Sequence, residues 1–240
     1  MNNSNCLDFK EISMLNEREK LQIQYQLQQH TETELYEIEI QIGPKNALRN
    51  FLMYPGVLKP MSSIALAHFL NLHPNLYNGK VVIDMGSGSG IQGIVALLNG
   101  AEKVIFSDIS TSAYRNTLAN VERFCPDKQA IVVKGDLFEN VNESADLVVF
   151  AEPYFPGNPI KDYPVTLGML NSGELVQRFL LDAKKYTKGS ILMPFIDWIS
   201  ETNNPKVQGV KHDYKVREVY HENLQDGIQQ GKFSIYELTL

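Results

Sequence analysis

Four residues at alternate positions carry the first chemical signal. They are Asp84, Gly86, Gly88 and Gly90, within the stretch Val81-Val82-Ile83-Asp84-Met85-Gly86-Ser87-Gly88-Ser89-Gly90-Ile91-Gln92-Gly93. An apolar run ends in an acid, a glycine-rich turn follows, and an apolar segment starts, which reads as strand, tight turn, helix. The glycines allow a sharp turn and leave no Cβ between the backbone and a ligand. The helix behind them would aim its free N–H groups at that ligand. Such a stretch is built for a nucleotide-type molecule. A further acid, Asp108, closes the apolar run Lys103–Ser107 about twenty residues past the glycines, the place of an acid that bonds ribose hydroxyls. Beyond a fourth apolar run, Asp146–Phe150, stands Ala151-Glu152-Pro153-Tyr154-Phe155, a carboxyl beside two rings.

Two ligands compete for the turn. Gly88-x-Gly90-x-x-Gly93 satisfies the dinucleotide fingerprint. An acid at the strand end faces a pyrophosphate as anion against anion, but suits a ligand with a cationic amino group. Asp84-x-Gly86-x-Gly88-x-Gly90 resembles the motif of class I S-adenosylmethionine (SAM) methyltransferases, whose cofactor carries such a group. The resemblance implies that Asp84 and the turn of Gly86, Ser87, Gly88 and Gly90 hold the methionine part. It also implies that Asp108, with Ile109 beside it, meets the ribose, and that Asp136, with Leu137, meets the adenine. Asp108 alone fits SAM and NAD equally, and Gly135-Asp136 is also a common turn pair.

A second resemblance lies upstream. Tyr54-Pro55-Gly56-Val57-Leu58-Lys59-Pro60 reads as a Pro-Gly turn leading, through Met61-Ser62-Ser63, to a helix N-cap. It is similar to the loop that helps enclose the cofactor in HemK-like methyltransferases, and so brings Pro60 to the site. The acid usual after that proline is replaced here by Met61-Ser62-Ser63. The segment after Phe150 resembles the family's Asn-Pro-Pro-Tyr motif, with Ala151 in the asparagine's place and Tyr154 in the tyrosine's; a one-residue slip puts Glu152 and Phe155 there instead. In neither register is there an asparagine to hold an acceptor NH2. Glu152 and Tyr154 are therefore the candidate catalytic residues, with the carboxyl as positioning group or base and the ring packing against substrate or methyl-sulfonium.

Composition narrows the function. The chain has 240 residues, 43% of them hydrophobic, enough for a packed core. A net charge of −6 argues against broad nucleic-acid binding, though a local basic patch remains open. The N-terminus has no secretory core, no run reaches membrane-spanning length, and two cysteines, Cys6 and Cys125, without CxxC spacing give no disulfide framework or zinc site. These features predict a cytoplasmic, metal-free protein.

The elements that must position these residues read as follows. Residues 7–19 are expected to form a short helix. Leu21–Leu27 and Tyr36–Ile42 each alternate apolar and polar residues, which predicts two half-buried strands paired as a ribbon. A long Gln/Glu/Lys-rich helix over 11–29 is the rival reading. Strands are expected at Val81–Asp84, Lys103–Asp108, Ala130–Lys134, Asp146–Phe150 and Gly189–Pro194, then two more extended runs at Lys211–Tyr220 and Lys232–Leu240. A closing pair of this kind, the last strand antiparallel, resembles the SAM methyltransferase sheet and differs from the NAD-binding one. The expected architecture is a Rossmann-like α/β fold: a seven-stranded, mostly parallel sheet with helices on both faces in residues 50–240, and an N-terminal extension in 1–49.

The functional expectation is SAM-dependent methyl transfer to a protein side chain or a small molecule. The alternatives are a catalytically degenerate SAM-binding interaction module, favoured by Ala151, an RNA methyltransferase, and an NAD(P)-dependent oxidoreductase.

Overall fold

The computed structural model describes residues 14–44, 46–60, 63–224 and 230–240. The first helix, α1 (Glu17–Gln28), starts at a capping box: the Glu19 backbone N–H donates to the Asn16 side chain at 2.9 Å, and the Asn16 N–H donates to the Glu19 carboxylate at 2.8 Å. This overturns the strand expected at Leu21–Leu27. The alternation there is compatible with a helix, since Ile23 and Leu27 also stand four apart, and glutamine, glutamate and lysine favour helix. The buried face of α1 is formed by Glu19, Gln22, Ile23 and Gln26, whereas Leu21 and Tyr25 are exposed. The short helix expected over residues 7–19 falls largely on residues outside those described.

A ribbon does exist, one element later than expected. β1 (Tyr36–Gly43) pairs antiparallel with β2 (Asn46–Met53), not with residues 21–27. β2 runs across position 50. Next comes α2 (Ser63–Leu72), which packs against a later helix of the same face.

The large sheet is built from β3 (Val81–Met85), β4 (Lys103–Asp108), β5 (Gln129–Lys134) and β6 (Ala145–Phe150), then β9 (Thr187–Ile196), β10 (Lys215–Leu224) and β11 (Gly231–Thr239). Between β6 and β9 lies a small parallel pair, β7 (Phe155–Pro156) and β8 (Leu170–Asn171). The spatial order is β10-β11-β9-β6-β3-β4-β5. The five central strands are parallel, and β11 runs antiparallel to both of its neighbours. The seven-stranded, mostly parallel α/β sheet is thus as the sequence predicted. The extended run expected from Lys211 begins at Lys215, because Pro205–Lys211 forms a helix, α6, capped by the Asn204 side chain.

Successive residues of the central strands face opposite layers. Val82 and Val104 belong to the cluster that holds Ile94 and Val95 of α3 (Ile91–Leu98) and Val121 of α4 (Thr111–Phe124). Ile83 and Ile105 belong to the other, with Val176, Phe179 and Leu180 of α5 (Glu174–Tyr186). Helices therefore cover both faces, and only the strand ends remain for a ligand. Among the described residues no helix is long and apolar enough to cross a membrane, and no cluster of histidine, cysteine or carboxylate side chains could hold a metal ion.

Candidate active site

Parallel neighbours end at the same rim of a sheet, and ligands gather outside that rim. Here β6, β3, β4 and β5 lie side by side. At or just past their ends stand, in the same order, Glu152, the glycine turn, Asp108 and Asp136. The structure brings all four into the wall of one cavity of about 180 Å³. Of the other predicted residues, Gly86, Ser87 and Gly88 line it at the turn, Ile109 and Leu137 beside the two aspartates, and Pro60 and Tyr154 from the flanking loops. Asp84 and Gly90 do not line it.

The turn requires its glycines. Gly86 and Gly90 have φ of 59° and 84°, in the left-handed region that costs other residues energy. A Cβ on Gly86 would also lie 3.2 Å from the Phe150 ring. Gly93, the third glycine of the dinucleotide-type spacing, serves packing: a Cβ there would lie 2.2 Å from the Phe106 ring.

Asp84 sits beneath this turn. It is 2% exposed and accepts the Gly93 backbone N–H at 2.9 Å. Burial pushes its carboxyl up to about 8; the Gly93 N–H opposes that rise and the nearby Asp108 carboxylate adds to it. Through the Gly93 N–H, Asp84 ties the end of β3 to the start of α3. Strand alternation places its side chain on the same face as Phe106 and Val149 of the neighbouring strands.

Asp108 is better placed for a ligand. One carboxylate oxygen accepts the Gly88 N–H at 2.9 Å, the other the Ser110 N–H at 2.8 Å. Each oxygen retains a second lone pair, and the side chain lines the cavity. Burial raises its pKa, and the N–H groups of Ser110, Gly88 and Ile109 counter that shift. Ile109 is 54% exposed, an apolar surface at the cavity mouth. Leu137 has φ of 52° and is buried, with its carbonyl accepting the Ser107 hydroxyl at 2.7 Å. Asp136 is ion-paired with Arg178 of α5.

Two positioning asparagines went unnoticed in the sequence. Asn116 and Asn120 of α4 are fully buried. The Asn120 amide N–H groups donate to the Ser89 and Leu52 carbonyls, both at 2.9 Å, and its carbonyl accepts the Leu52 N–H at 2.9 Å. Asn116 donates to the Leu52 carbonyl at 2.7 Å and accepts the Tyr54 N–H at 2.9 Å. Together they lock the end of β2 to the glycine turn. Their signal was two asparagines at i and i+4 inside a helix, where that residue type is unfavourable without buried partners.

The Pro-Gly loop lines the cavity and is held by the residues that follow α1. The Lys59 N–H donates to His30 Nε2 at 2.8 Å, and its ammonium donates to the Gln29 carbonyl at 2.7 Å and to Glu32 at 2.8 Å. Burial lowers the His30 pKa.

At the β6 end, Glu152 is 2% exposed, and neither carboxylate oxygen has a hydrogen-bond partner beyond the residue's own backbone N–H. Burial raises its pKa well above the ordinary value. The loop around it is fixed by asparagines: Asn171 donates to the Pro153 carbonyl at 2.5 Å, and Asn203 donates to the Tyr154 carbonyl at 3.1 Å. The Tyr154 ring meets Phe195 edge-on at 6.1 Å. Gln26 of α1 also lines the cavity, so the N-terminal helix is part of the site.

The family model of ribosomal protein L11 methyltransferase (PrmA) matches residues 67–151, from α2 through the end of β6. Among curated relatives, the ribosomal protein L11 methyltransferase of Carboxydothermus hydrogenoformans is 35% identical over 71 residues, which is 30% of this chain and 23% of that protein. A protein of Methanocaldococcus jannaschii provisionally named a protein N5-glutamine methyltransferase is 26% identical over 140 residues, 50% of this chain and 70% of its own length. The chain thus spans under a quarter of the first of these relatives. In fold, the Thermus thermophilus 16S rRNA N2 G1207 methyltransferase, solved with AdoMet and guanosine, superposes with a TM-score of 0.58 at 16% identity, covering 86% of this chain and 51% of that one. The Pyrococcus abyssi tRNA (uracil-54, C5)-methyltransferase, solved with S-adenosylhomocysteine, gives 0.57 at 18% identity, covering 85% and 44%.

Proposed function

We propose that this chain is built on the core domain of the class I SAM-dependent methyltransferases and uses SAM to methylate a protein side chain or a small molecule. The observation that carries the reading is the row of groups along one sheet rim: Asp136, Asp108, the glycine turn and Glu152, in strand order β5, β4, β3, β6. A nucleoside with an amino-acid tail matches Asp136, Asp108 and the glycine turn, and leaves Glu152 to the acceptor.

The residues fit the cofactor. Asp108 has free lone pairs for two ribose hydroxyls, and Ile109 and Leu137 give apolar surface for a base beside Asp136. Gly86 and Gly88 leave bare backbone where an amino-acid tail would lie. Asp84 holds the turn. When bound, SAM supplies an electrophilic methyl group on a sulfonium. The chain's own task is then positioning, the main source of acceleration for an in-line attack. Glu152 stands on the far side of the turn from the two aspartates. There its carboxylate would accept an N–H or O–H of the acceptor, orient that atom, and take its proton.

The names of the relatives favour a protein acceptor, and the chain's charge of −6 agrees. The RNA enzymes among the structural neighbours keep RNA as a second reading. The test is transfer of a labelled methyl group from SAM into a cell lysate separated into protein, RNA and small molecules. Label in protein or small molecules supports the proposal. Label in RNA favours the second reading, and no label in any fraction favours a SAM-binding module without turnover.

A further inference from the structure

We propose that α1 is a strap on the cavity that undocks as a unit, so that ligand enters and leaves when α1 lifts from the Pro-Gly loop. The ligand is the cofactor of the SAM reading, on which the gating role rests; the undocking itself is a property of the free protein.

The first observation is that α1 is turned inside out. Leu21 and Tyr25 are 54% and 40% exposed, and of its four buried residues, Glu19, Gln22, Ile23 and Gln26, only Ile23 is apolar. A helix docked for packing buries its apolar side chains and exposes its polar ones. The fit beneath α1 is also incomplete: the side-chain oxygens of Gln22 and Gln26 are buried without a hydrogen-bond partner, where buried polar atoms are ordinarily paired. Among the described residues, no backbone–backbone hydrogen bond joins residues 14–35 to the rest of the chain. Side chains hold α1 in place.

The second observation is where those side chains attach. At the N-terminal end the Glu19 carboxylate accepts the Ser200 N–H at 2.8 Å, and the Arg18 guanidinium lies 4.3 Å from the centre of the Trp198 ring. Trp198 in turn stands 6.0 Å, ring to ring, from Phe155, which lines the cavity. At the C-terminal end one His30 nitrogen meets the Gln26 carbonyl at 2.5 Å and the other accepts the Lys59 N–H, while Glu32 and the Gln29 carbonyl hold the Lys59 ammonium. Lys59 lines the cavity, and so does Gln26 of α1 itself. The helix is therefore clasped to two separate loops that border one cavity. Residues 30–35, which have neither helix nor strand, lead from it into β1, and β1 stays paired with β2. Little apolar burial and a few polar clasps are the marks of a segment that opens well below the cost of global unfolding, and lids of this kind control ligand exchange.

Two measurements on the full chain at pH 8 test this without turnover. The first is hydrogen exchange of the free protein. His30→Ala removes the clasp at Lys59, and the amides of residues 21–28 should then exchange faster together, by about fivefold for one hydrogen bond, while those of β3 and β4 keep their rates. The second is rapid mixing with S-adenosylhomocysteine, followed by the fluorescence of Trp198, the chain's single tryptophan, which sits at the Arg18 clasp. The clasp holds α1 equally in the free and the bound protein. Association and dissociation should therefore both speed up about fivefold in His30→Ala, with Kd within about twofold of the wild type. Arg18→Met, at the other end, should give the same paired change by about threefold. A fixed wall behaves differently: its loss speeds dissociation alone and weakens Kd. That result, or α1 amides that exchange at wild-type rates in both folded variants, would overturn the strap and leave the cofactor reading standing. Absence of S-adenosylhomocysteine binding by the wild type would overturn the cofactor reading and the gating with it.

Discussion

The carboxylate of Asp108 accepts the backbone N–H of Gly88 at 2.9 Å, so one side chain joins the end of β4 to the glycine turn that follows β3. It shapes the turn and faces the cavity. Asp108→Ala should therefore weaken binding of S-adenosylhomocysteine about 10- to 100-fold, on the order of 1.5–3 kcal/mol for hydrogen bonds to a charged group. Circular dichroism should show the fold retained. Unchanged affinity in a folded variant would remove Asp108 from the ribose site.

Glu152 makes the protein less stable than it could be. Its carboxyl is harder to ionise folded than unfolded, since burial raises its pKa above the ordinary 4.5. The folded state thus keeps a proton that the unfolded chain has released, and stability falls as pH rises above about 4.5. Glu152→Gln should raise the urea midpoint more at pH 8 than at pH 5, by the equivalent of about 1–3 kcal/mol for relief of a buried unpaired group. Asp84 and Asp108 shift in the same direction, so the slope should shrink without vanishing. An equal change at both pH values would contradict the assignment.

Asn120 links α4, β2 and the glycine turn through three hydrogen bonds. Removing it leaves the Ser89 carbonyl and the Leu52 N–H without that partner. Asn120→Ala should cost about 1–3 kcal/mol for each group left unpaired, and should weaken cofactor binding through the turn. Chemical denaturation checks the first effect and titration the second. A loss under about 0.5 kcal/mol, the range of surface substitutions, would mean that β2 is not held this way.

His30 accepts the Lys59 N–H through Nε2, which requires a neutral ring. Its pKa is lowered from the ordinary 6.5, chiefly by burial. The unfolded chain therefore binds the proton first, and the latch loses stability as pH falls below about 6.5. His30→Ala should cost about 1 kcal/mol at pH 8 for the lost hydrogen bond, and less at pH 5.5. Thermal melts of both proteins at the two pH values check this. A cost that grows toward acid pH would contradict the latch.

The rim of the sheet was legible because its chemistry is local. Asp84-x-Gly86-x-Gly88-x-Gly90 and Asp108 announce themselves by spacing within one strand–turn–helix unit, and the alternation of Val82/Ile83 with Val104/Ile105 follows from pleating alone. The N-terminal helix was misread because its buried face is polar. Glu19, Gln22 and Gln26 are inside, and two of them meet parts of the fold far along the chain. The Glu19 carboxylate accepts the Ser200 N–H at 2.8 Å, and Gln26 reaches the cavity. No pattern within residues 16–28 contains that information; Asn16-x-x-Glu19 marks only a helix start. The position of Asp84 was legible and its hydrogen bond with the Gly93 N–H was not, because strand alternation alone did not reveal which layer would receive it.

The central claim is that the rim between β6 and β5 binds SAM, and the most direct measurement is parallel calorimetric titration with S-adenosylhomocysteine and NADH. The account predicts micromolar binding of S-adenosylhomocysteine, about −8 kcal/mol, and no heat with NADH. Binding of NADH alone would contradict it, and would mean that the Gly88-x-Gly90-x-x-Gly93 spacing, not Asp84-x-Gly86-x-Gly88-x-Gly90, defines the ligand.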